Sequence, residues 1–308
     1  DPKAVVYYSD QTHMSVERAL RVLGFAPDQM RRVNIDDEFK IDLVDLEKKI
    51  AKDLERDFRP FCLVANAGTT NTGAIDPIGP LSELCGVNQM WLHVDAAYGG
   101  AIILSKRGKR LLHNLNLADS ITIDPHKWLF QPIEMGCLLV KDRSGLRHTF
   151  DASPEYLSDV EEEFGEINFY QQGLQLTRQT RALKLWMSLQ VFGTDAFSAA
   201  IEHGFSNAEY VEERIRSLAS WEIVSPATLG VIAFRYVSDV YSVDQSNLFN
   251  QKLAEALSQS GVAFVGTTLL KGKKALRMCT INPRTTTSDL DETVEKLNEL
   301  AVSQMSLD

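Results

Sequence analysis

The sequence predicts an α/β fold in which a mostly parallel sheet is followed by a small C-terminal α+β domain. In residues 1–150, short apolar strands alternate with helix-like segments, which is typical of a parallel sheet covered on both faces. After about residue 195 the pattern changes to long helices and paired strands. The length of 308 residues also favours two domains over one. We therefore expect a large domain over residues 1–195 and a small domain over residues 196–308.

The elements of the large domain follow from apolar runs and from helical spacing. Strand-like apolar runs occupy residues 4–8, 61–65, 91–94, 120–123 and 137–140. Helical patterns occupy residues 15–23 and 43–54, and a helix starts near residues 80–85. The carboxyl ends of parallel strands meet at one edge of the sheet, where ligands bind. Asp95, Lys127 and the turn Gly68-Thr69-Thr70 follow strand ends, so we expect them at that edge.

The second half of the chain opens with an acidic segment. Five carboxylates lie between Asp159 and Glu166, and their repulsion predicts a mobile surface loop. An amphipathic helix follows over residues 181–192, and a long helical stretch reaches Leu218. We expect Ser288 to cap the last helix. The remaining expected elements are strands near residues 222–224, 230–236, 263–265 and 275–280, and helices over residues 245–258 and 288–301.

Composition excludes several classes of function. The net charge of −10 argues against a nucleic-acid or anionic-membrane partner. No apolar run approaches the ~20 residues of a membrane helix, and no signal peptide is visible. The cysteines show no paired spacing, which argues against a disulfide framework or a metal site and favours the reducing cytoplasm. They are Cys62, Cys85, Cys137 and Cys279.

The strongest chemical signal is a pair of motifs at two strand ends. The first is His93-Val-Asp-Ala-Ala-Tyr-Gly-Gly100, which contains Asp95, and the second is Asp124-Pro-His-Lys-Trp128, which contains Lys127. Pyridoxal 5′-phosphate (PLP) needs a lysine amine for its Schiff base and a carboxylate that keeps its ring nitrogen protonated. A lone Asp is usually a turn residue and a lone Lys a surface charge. Together in these motifs, they predict a PLP site.

These motifs also resemble a known family, the group II PLP-dependent amino-acid decarboxylases. The family includes the aromatic-L-amino-acid, tyrosine, histidine and glutamate decarboxylases. The resemblance runs through nearly all of the chain and implies a PLP fold of type I and a homodimer. Beside the two motifs above, it rests on the segments Tyr8–Ala19, Asn66–Pro77, Arg181–Trp186 and Asn282–Thr286.

The resemblance implies roles for further cofactor residues. His13 matches the histidine that stacks on the cofactor ring, and Thr69 and Ala97 match positions on its opposite side and edge. His126 matches a position near the phosphate. Asp124 stands where some members carry Asn, and a carboxylate beside a phosphate needs a donor partner.

Three more residues are implied as parts of the catalytic and substrate site. Tyr156 matches the tyrosine of a closing loop that returns a proton to Cα after CO2 leaves. Arg178 matches an arginine beside the active site, and Thr177 replaces a Gly of the aromatic decarboxylases, so both are candidates for substrate contact.

The sequence begins at Asp1, and a strand-like run follows directly. This predicts that an N-terminal part of the protein is absent from the sequence. The family's phosphate-binding turn and dimerising N-terminal segment would lie upstream, and a separate N-terminal fragment could be a partner. The leading interpretation is a decarboxylase for an aromatic or bulky neutral L-amino acid. The alternatives are an aldehyde synthase, which Tyr156 in place of Phe disfavours, another PLP lyase of the same fold, and a non-catalytic dimerisation or binding fragment.

Overall fold

The first sheet of the computed structural model, which describes residues 1–150 and 168–305, is six-stranded and mostly parallel. Its strands lie in the order β2-β1-β3-β4-β5-β6, and only the β5–β6 pair is antiparallel. This confirms the predicted α/β fold with a mostly parallel sheet. The strands are β1 (Ala4–Ser9), β2 (Met30–Val33), β3 (Arg59–Asn66), β4 (Trp91–Asp95), β5 (Ser120–Ile123) and β6 (Cys137–Val140).

Helices cover both faces of this sheet. On β1, Val6 and Tyr8 share a core cluster with Leu20, while Tyr7 belongs to the opposite cluster with Leu46. Because successive side chains of a strand point to opposite faces, apolar residues on both faces produce the continuous apolar runs seen in the sequence. The helices are α1 (Met14–Val22), α2 (Leu43–Glu55), α3 (Ile78–Val87), α4 (Lys106–Leu111), α5 (Ser144–Phe150) and α6 (Ala182–Arg216).

A second, four-stranded antiparallel sheet follows, in the order β7-β8-β10-β9. It consists of β7 (Trp221–Thr228), β8 (Val231–Tyr236), β9 (Gly266–Leu270) and β10 (Lys273–Cys279), with helices α7 (Val243–Ser260) and α8 (Thr287–Met305). Helix α6 serves both cores, because Ile201 packs in the first and Ile215 in the second. The helix has one non-helical residue, Gly193, with φ 73°. The domain boundary at residue 195 stays a prediction.

The two sheets are joined by close contacts next to the carboxyl edge of the first sheet. The Tyr98 hydroxyl donates a hydrogen bond to the Leu229 carbonyl oxygen at 2.5 Å. Leu229 belongs to the β7–β8 turn, and its Cδ1 lies near Gly68 and Gly99. Phe39 and Ala74 pack against Ala233, Leu270 and Ala275 of the small sheet. The small sheet therefore abuts the turns that follow β3 and β4.

Some expected elements are placed differently in the structure. Strand β2 was not predicted, because Arg31 and Arg32 interrupt its apolar pattern. The strand expected at residues 263–265 lies instead at Gly266–Leu270, because the turn at Lys271 and Gly272, both with positive φ, fixes its pairing with β10.

The last helix begins one residue earlier than expected and has a different cap. The Thr286 hydroxyl accepts a hydrogen bond from the Asp289 N–H at 3.3 Å, and the Thr286 N–H donates to the Asp289 carboxylate at 2.8 Å. This reciprocal pair makes Thr286 the cap, so the expectation of Ser288 was wrong.

The acidic segment between Asp159 and Glu166 lies outside the described residues, so its predicted mobility stays a prediction. In the described part of the chain, no helix has both the length and the apolar character that crossing a membrane requires.

Candidate active site

A cavity of about 420 Å³ lies at the carboxyl ends of the parallel strands. It collects residues that follow β1, β3, β4 and β5, as expected from the position of the strand ends. Five of the predicted cofactor residues line it together, namely His13, Thr69, Asp95, Ala97 and Lys127.

Asp95 is fixed by the sheet itself. It is the last residue of β4, and its register partners are Asn66 on β3 and Thr122 on β5, which also line the cavity. The Ala97 N–H donates a hydrogen bond to Asp95 Oδ1 at 3.1 Å. The carboxylate is therefore held at a defined place on the cavity wall and is half-buried there.

Lys127 lies in the turn that follows β5. Its N–H donates to the Asp124 carbonyl oxygen at 2.9 Å, and its Nζ lies 2.9 Å from Asp124 Oδ2. The next residue, Trp128, is fully buried and stacks on Tyr98 with 5.1 Å between ring centroids. Trp128 thus anchors the turn while Lys127, 40% exposed, reaches the cavity. Asp124, for which a donor partner was expected, has Lys127 in that role.

His13 sits at the mouth of the cavity as the N-cap of α1. Its Nδ1 accepts a hydrogen bond from the Ser15 N–H at 3.3 Å and lies 2.7 Å from the Ser15 hydroxyl. With Nδ1 as acceptor, a neutral ring carries its proton on Nε2. The cap fixes the orientation of the imidazole and leaves the ring exposed for a ligand.

The turn after β3 presents two threonines. Thr69 is buried, and its hydroxyl accepts a hydrogen bond from the Ala74 N–H at 3.1 Å and lies 2.8 Å from the Thr72 hydroxyl. Thr70 is exposed and also lines the cavity. Thr69 therefore holds the shape of the turn. Thr70 is a further candidate for cofactor contact, which the sequence placed at this edge without indicating a role for it.

Three predicted site residues in the described part of the chain, His126, Thr177 and Arg178, do not line this cavity. His126 makes a 2.7 Å hydrogen bond through Nδ1 with the Met135 carbonyl oxygen. Arg178 is exposed, with its guanidinium 5.7 Å from the centre of the Phe169 ring, and Thr177 is exposed as well. Tyr156 lies outside the described residues. The roles of all predicted site residues stay predictions.

His93 is a cavity residue that the sequence reasoning did not assign. It precedes Asp95 by two positions on β4 and so shares its face of the sheet. Its Nδ1 lies 2.8 Å from the Ser120 hydroxyl and its Nε2 3.3 Å from the Thr122 hydroxyl. Burial lowers the pKa of His93, although the negative charge of Asp95 opposes this effect. Burial therefore favours the neutral form of the imidazole beside Asp95. The period-two spacing within the strand was the signal for it.

A buried carboxylate supports this wall of the cavity from behind. Asp76 accepts hydrogen bonds from the Ile41 N–H at 2.7 Å and from the Asn66 N–H and side-chain amide at 2.6 and 2.9 Å. Burial raises the pKa of Asp76 to about 6, although these donors act in the opposite direction. Asp76 fixes the side chain of Asn66, the register partner of Asp95.

The residues that line the cavity fit PLP. A carboxylate fixed at a strand end suits the ring nitrogen, a lysine amine suits the aldehyde, and an exposed imidazole face suits the flat ring. The small side chain of Ala97 leaves room beside Asp95.

Similarity to known proteins agrees with a PLP site in this cavity. The family model "Pyridoxal-dependent decarboxylase conserved domain" matches residues 1–237. The chain is 47% identical over 300 residues to an aromatic-L-amino-acid decarboxylase from Bacillus atrophaeus, covering 97% of this chain and 62% of that protein. It is 33% identical over 286 residues to tyrosine decarboxylase 2 from Narcissus pseudonarcissus, covering 92% of this chain and 57% of that protein.

A solved structure shows the same fold. The crystal structure of Oryza sativa TDC with PLP and tryptamine superposes with a TM-score of 0.93 at 26% identity, covering 99% of this chain and 64% of that chain. The chain spans about three fifths of the length of the relatives it matches. On the match of the family model over most of its residues, the chain belongs to the pyridoxal-dependent decarboxylase family.

Proposed function

We propose that the chain is the catalytic part of a PLP-dependent decarboxylase that releases CO2 from an L-amino acid and forms the amine. The observation that carries the proposal is the convergence of Asp95, Lys127 and His13 on one cavity. Relatives named as aromatic-L-amino-acid and tyrosine decarboxylases support it.

Each of the main cavity residues would have a separate role in the reaction. When bound, PLP supplies an electron sink for the electron pair left on Cα when CO2 departs. Asp95 would hold a proton on the ring nitrogen. Lys127 would supply the amine for the cofactor's aldehyde, while Asp124 orients that amine in the free protein. His13 would cover one face of the ring and keep water away.

The proton that completes the reaction is assigned to Tyr156. A hydroxyl group positioned at Cα would deliver that proton. This assignment rests on the family motif, because Tyr156 is not among the described residues. His126, Thr69 and Ala97 are proposed to border the cofactor.

The proposed substrate is an aromatic or bulky neutral L-amino acid. The relatives named for aromatic amino acids and tyrosine support this class. Arg178 and Thr177 are the proposed substrate residues. Thr177 stands where the aromatic decarboxylases carry Gly, so it would narrow the space for the side chain.

The proposed assembly is a homodimer in the cytoplasm, with residues 1–195 and 196–308 as its two domains. An apolar stripe on α6 supports a second copy as the partner. Its members follow helical spacing and are between 48% and 72% exposed. The stripe consists of Leu183, Trp186, Met187 and Val191. The unpaired spacing of the cysteines supports the cytoplasm.

A panel of L-amino acids tests the proposal, using the protein expressed from its complete gene and saturated with PLP. We expect CO2 and one equivalent of amine from an aromatic substrate. Aldehyde with ammonia and peroxide would establish an aldehyde synthase instead. Absence of PLP uptake would establish a non-catalytic binding protein.

A further inference from the structure

Asn71 joins three separate parts of the molecule. It directly follows Thr70 in the turn after β3. Its Nδ2 donates a hydrogen bond to Gln11 Oε1 at 3.1 Å, and its Oδ1 accepts one from the Thr268 hydroxyl at 2.9 Å. Gln11 lies in the turn that leads to His13, and Thr268 lies on β9 of the small sheet. One side-chain amide therefore ties two cavity turns to the small sheet.

The bond to Gln11 continues into the wall of the cavity. Gln11 is 9% exposed, and its N–H donates to the Ser9 hydroxyl at 3.3 Å. The Asn66 amide donates to that same hydroxyl at 3.3 Å and to the Thr12 hydroxyl at 3.1 Å. The chain of hydrogen bonds therefore runs from β9 to Asn66. Asn66 is the register partner of Asp95, so the chain ends beside the carboxylate of the cavity.

Asn71 and Thr268 act from outside the cavity. The residues that line it include Thr69 and Thr70, but neither Gln11, Asn71 nor Thr268. The turn also depends on the small sheet at another point, because an added Cβ on Gly73 would lie 2.3 Å from the Thr228 carbonyl oxygen. The turn thus packs closely against the small sheet, and Asn71 adds a hydrogen bond between the two.

We propose that Asn71 is a positioning residue that couples the small sheet to the two turns carrying His13 and Thr70, and thereby sets the affinity for PLP. The second part rests on the proposed function. The affinity for the cofactor is proportional to the fraction of molecules whose turns already have the binding conformation, so it falls when that fraction falls. Loss of one hydrogen bond should reduce that fraction about 2- to 10-fold.

Substitutions at Thr268 test the coupling without touching the cavity. Thr268→Val removes the hydroxyl donor at nearly constant shape, whereas Thr268→Ser keeps the donor. Thr267→Val is a matched control, because Thr267 is exposed on the neighbouring position of β9. We expect Thr268→Val to raise the dissociation constant for PLP about 2- to 10-fold. Thr268→Ser and Thr267→Val should bind PLP like the parent.

A double variant shows whether the effect passes through Asn71. Asn71→Ala should weaken PLP binding at least as much as Thr268→Val, and adding Thr268→Val to it should change nothing further. Additive losses would overturn the proposal, because Thr268 would then act by another route. Equal PLP affinity of the parent and Thr268→Val would overturn it as well.

Amide hydrogen exchange without PLP separates this proposal from the proposed function. Coupling predicts that Thr268→Val speeds exchange in residues 68–74 and 9–13 about 2- to 10-fold, while Thr268→Ser does not. If the parent takes up no PLP, the proposed function fails, and the exchange rates still decide the coupling. Unchanged exchange in both segments would refute the coupling whatever the cofactor does.

Discussion

Replacing Gly99 with alanine should destabilise the protein, because the added methyl group has no space. An ideal Cβ on Gly99 would lie 2.2 Å from the Ala67 carbonyl oxygen and 3.0 Å from Leu229 Cδ1. A normal carbon–oxygen contact is ~3.3 Å, so the backbone after β3 must move by ~1 Å. The same Ala67 oxygen accepts the Gly99 N–H at 3.1 Å, and that bond would be distorted.

The expected cost follows from these contacts. Overpacking costs about 1–3 kcal/mol and a weakened buried hydrogen bond about 1 kcal/mol, so the free energy of unfolding should fall by about 2–4 kcal/mol. The movement also reaches the site, because the Ala67 N–H donates to the Asp95 carbonyl oxygen at 2.8 Å. PLP binding should therefore weaken in the same variant.

Urea unfolding followed by circular dichroism measures the effect. Gly86→Ala is the matched control, because Gly86 lies in α3 and an added Cβ meets nothing within 4 Å. It should raise the free energy of unfolding by about 0.5–1 kcal/mol, since alanine is less costly to order in a helix. If Gly99→Ala is as stable as the parent, the close packing between the ends of β3 and β4 is refuted.

Three further predictions address the carboxylates and the proton donor. Asp95→Asn should keep its circular dichroism spectrum but lose several orders of magnitude in CO2 release, because an amide cannot hold the proton on the ring nitrogen; near-parental turnover would rule this out. Tyr156→Phe should still release CO2 but yield mainly aldehyde and peroxide in air, since a positioned hydroxyl contributes ~10²–10⁴-fold to proton transfer; chromatography of the products decides, and amine at the parental rate would point to another donor. Burial raises the pKa of Asp76 from 3.8 to about 6, so its ionisation costs the folded protein stability as the pH rises through that window. The free energy of unfolding of the parent minus that of Asp76→Asn should therefore fall by ~2 kcal/mol between about pH 4 and pH 7, and a constant difference would contradict the buried acid.

The strands and the main site residues could be predicted because local patterns carry them. Ala65 and Val94 are fully buried, and their strands therefore read as apolar runs. Asp95 and Lys127 follow such runs, which places them at the ligand edge of the sheet. Strand β2 could not be predicted from its own residues, because its membership depends on pairing with β1 rather than on an apolar pattern.

The supporting residues were not predictable, because no local pattern connects them to their partners. Asn71 and Thr268 are 197 positions apart, and no periodicity connects them. Asp76 acts on Asn66 only through the fold, and its carboxylate looks like an ordinary turn residue in the sequence. His93 shows the opposite case, because its spacing from Asp95 was readable and was overlooked.

Borohydride reduction followed by peptide mass spectrometry identifies the lysine that binds the cofactor. The protein is saturated with PLP, reduced, digested and searched for a pyridoxyl group on each lysine. We expect one modified site, Lys127, and no reducible adduct in Lys127→Ala. A pyridoxyl group on a different lysine of the parent, or an adduct that persists in Lys127→Ala, would contradict it.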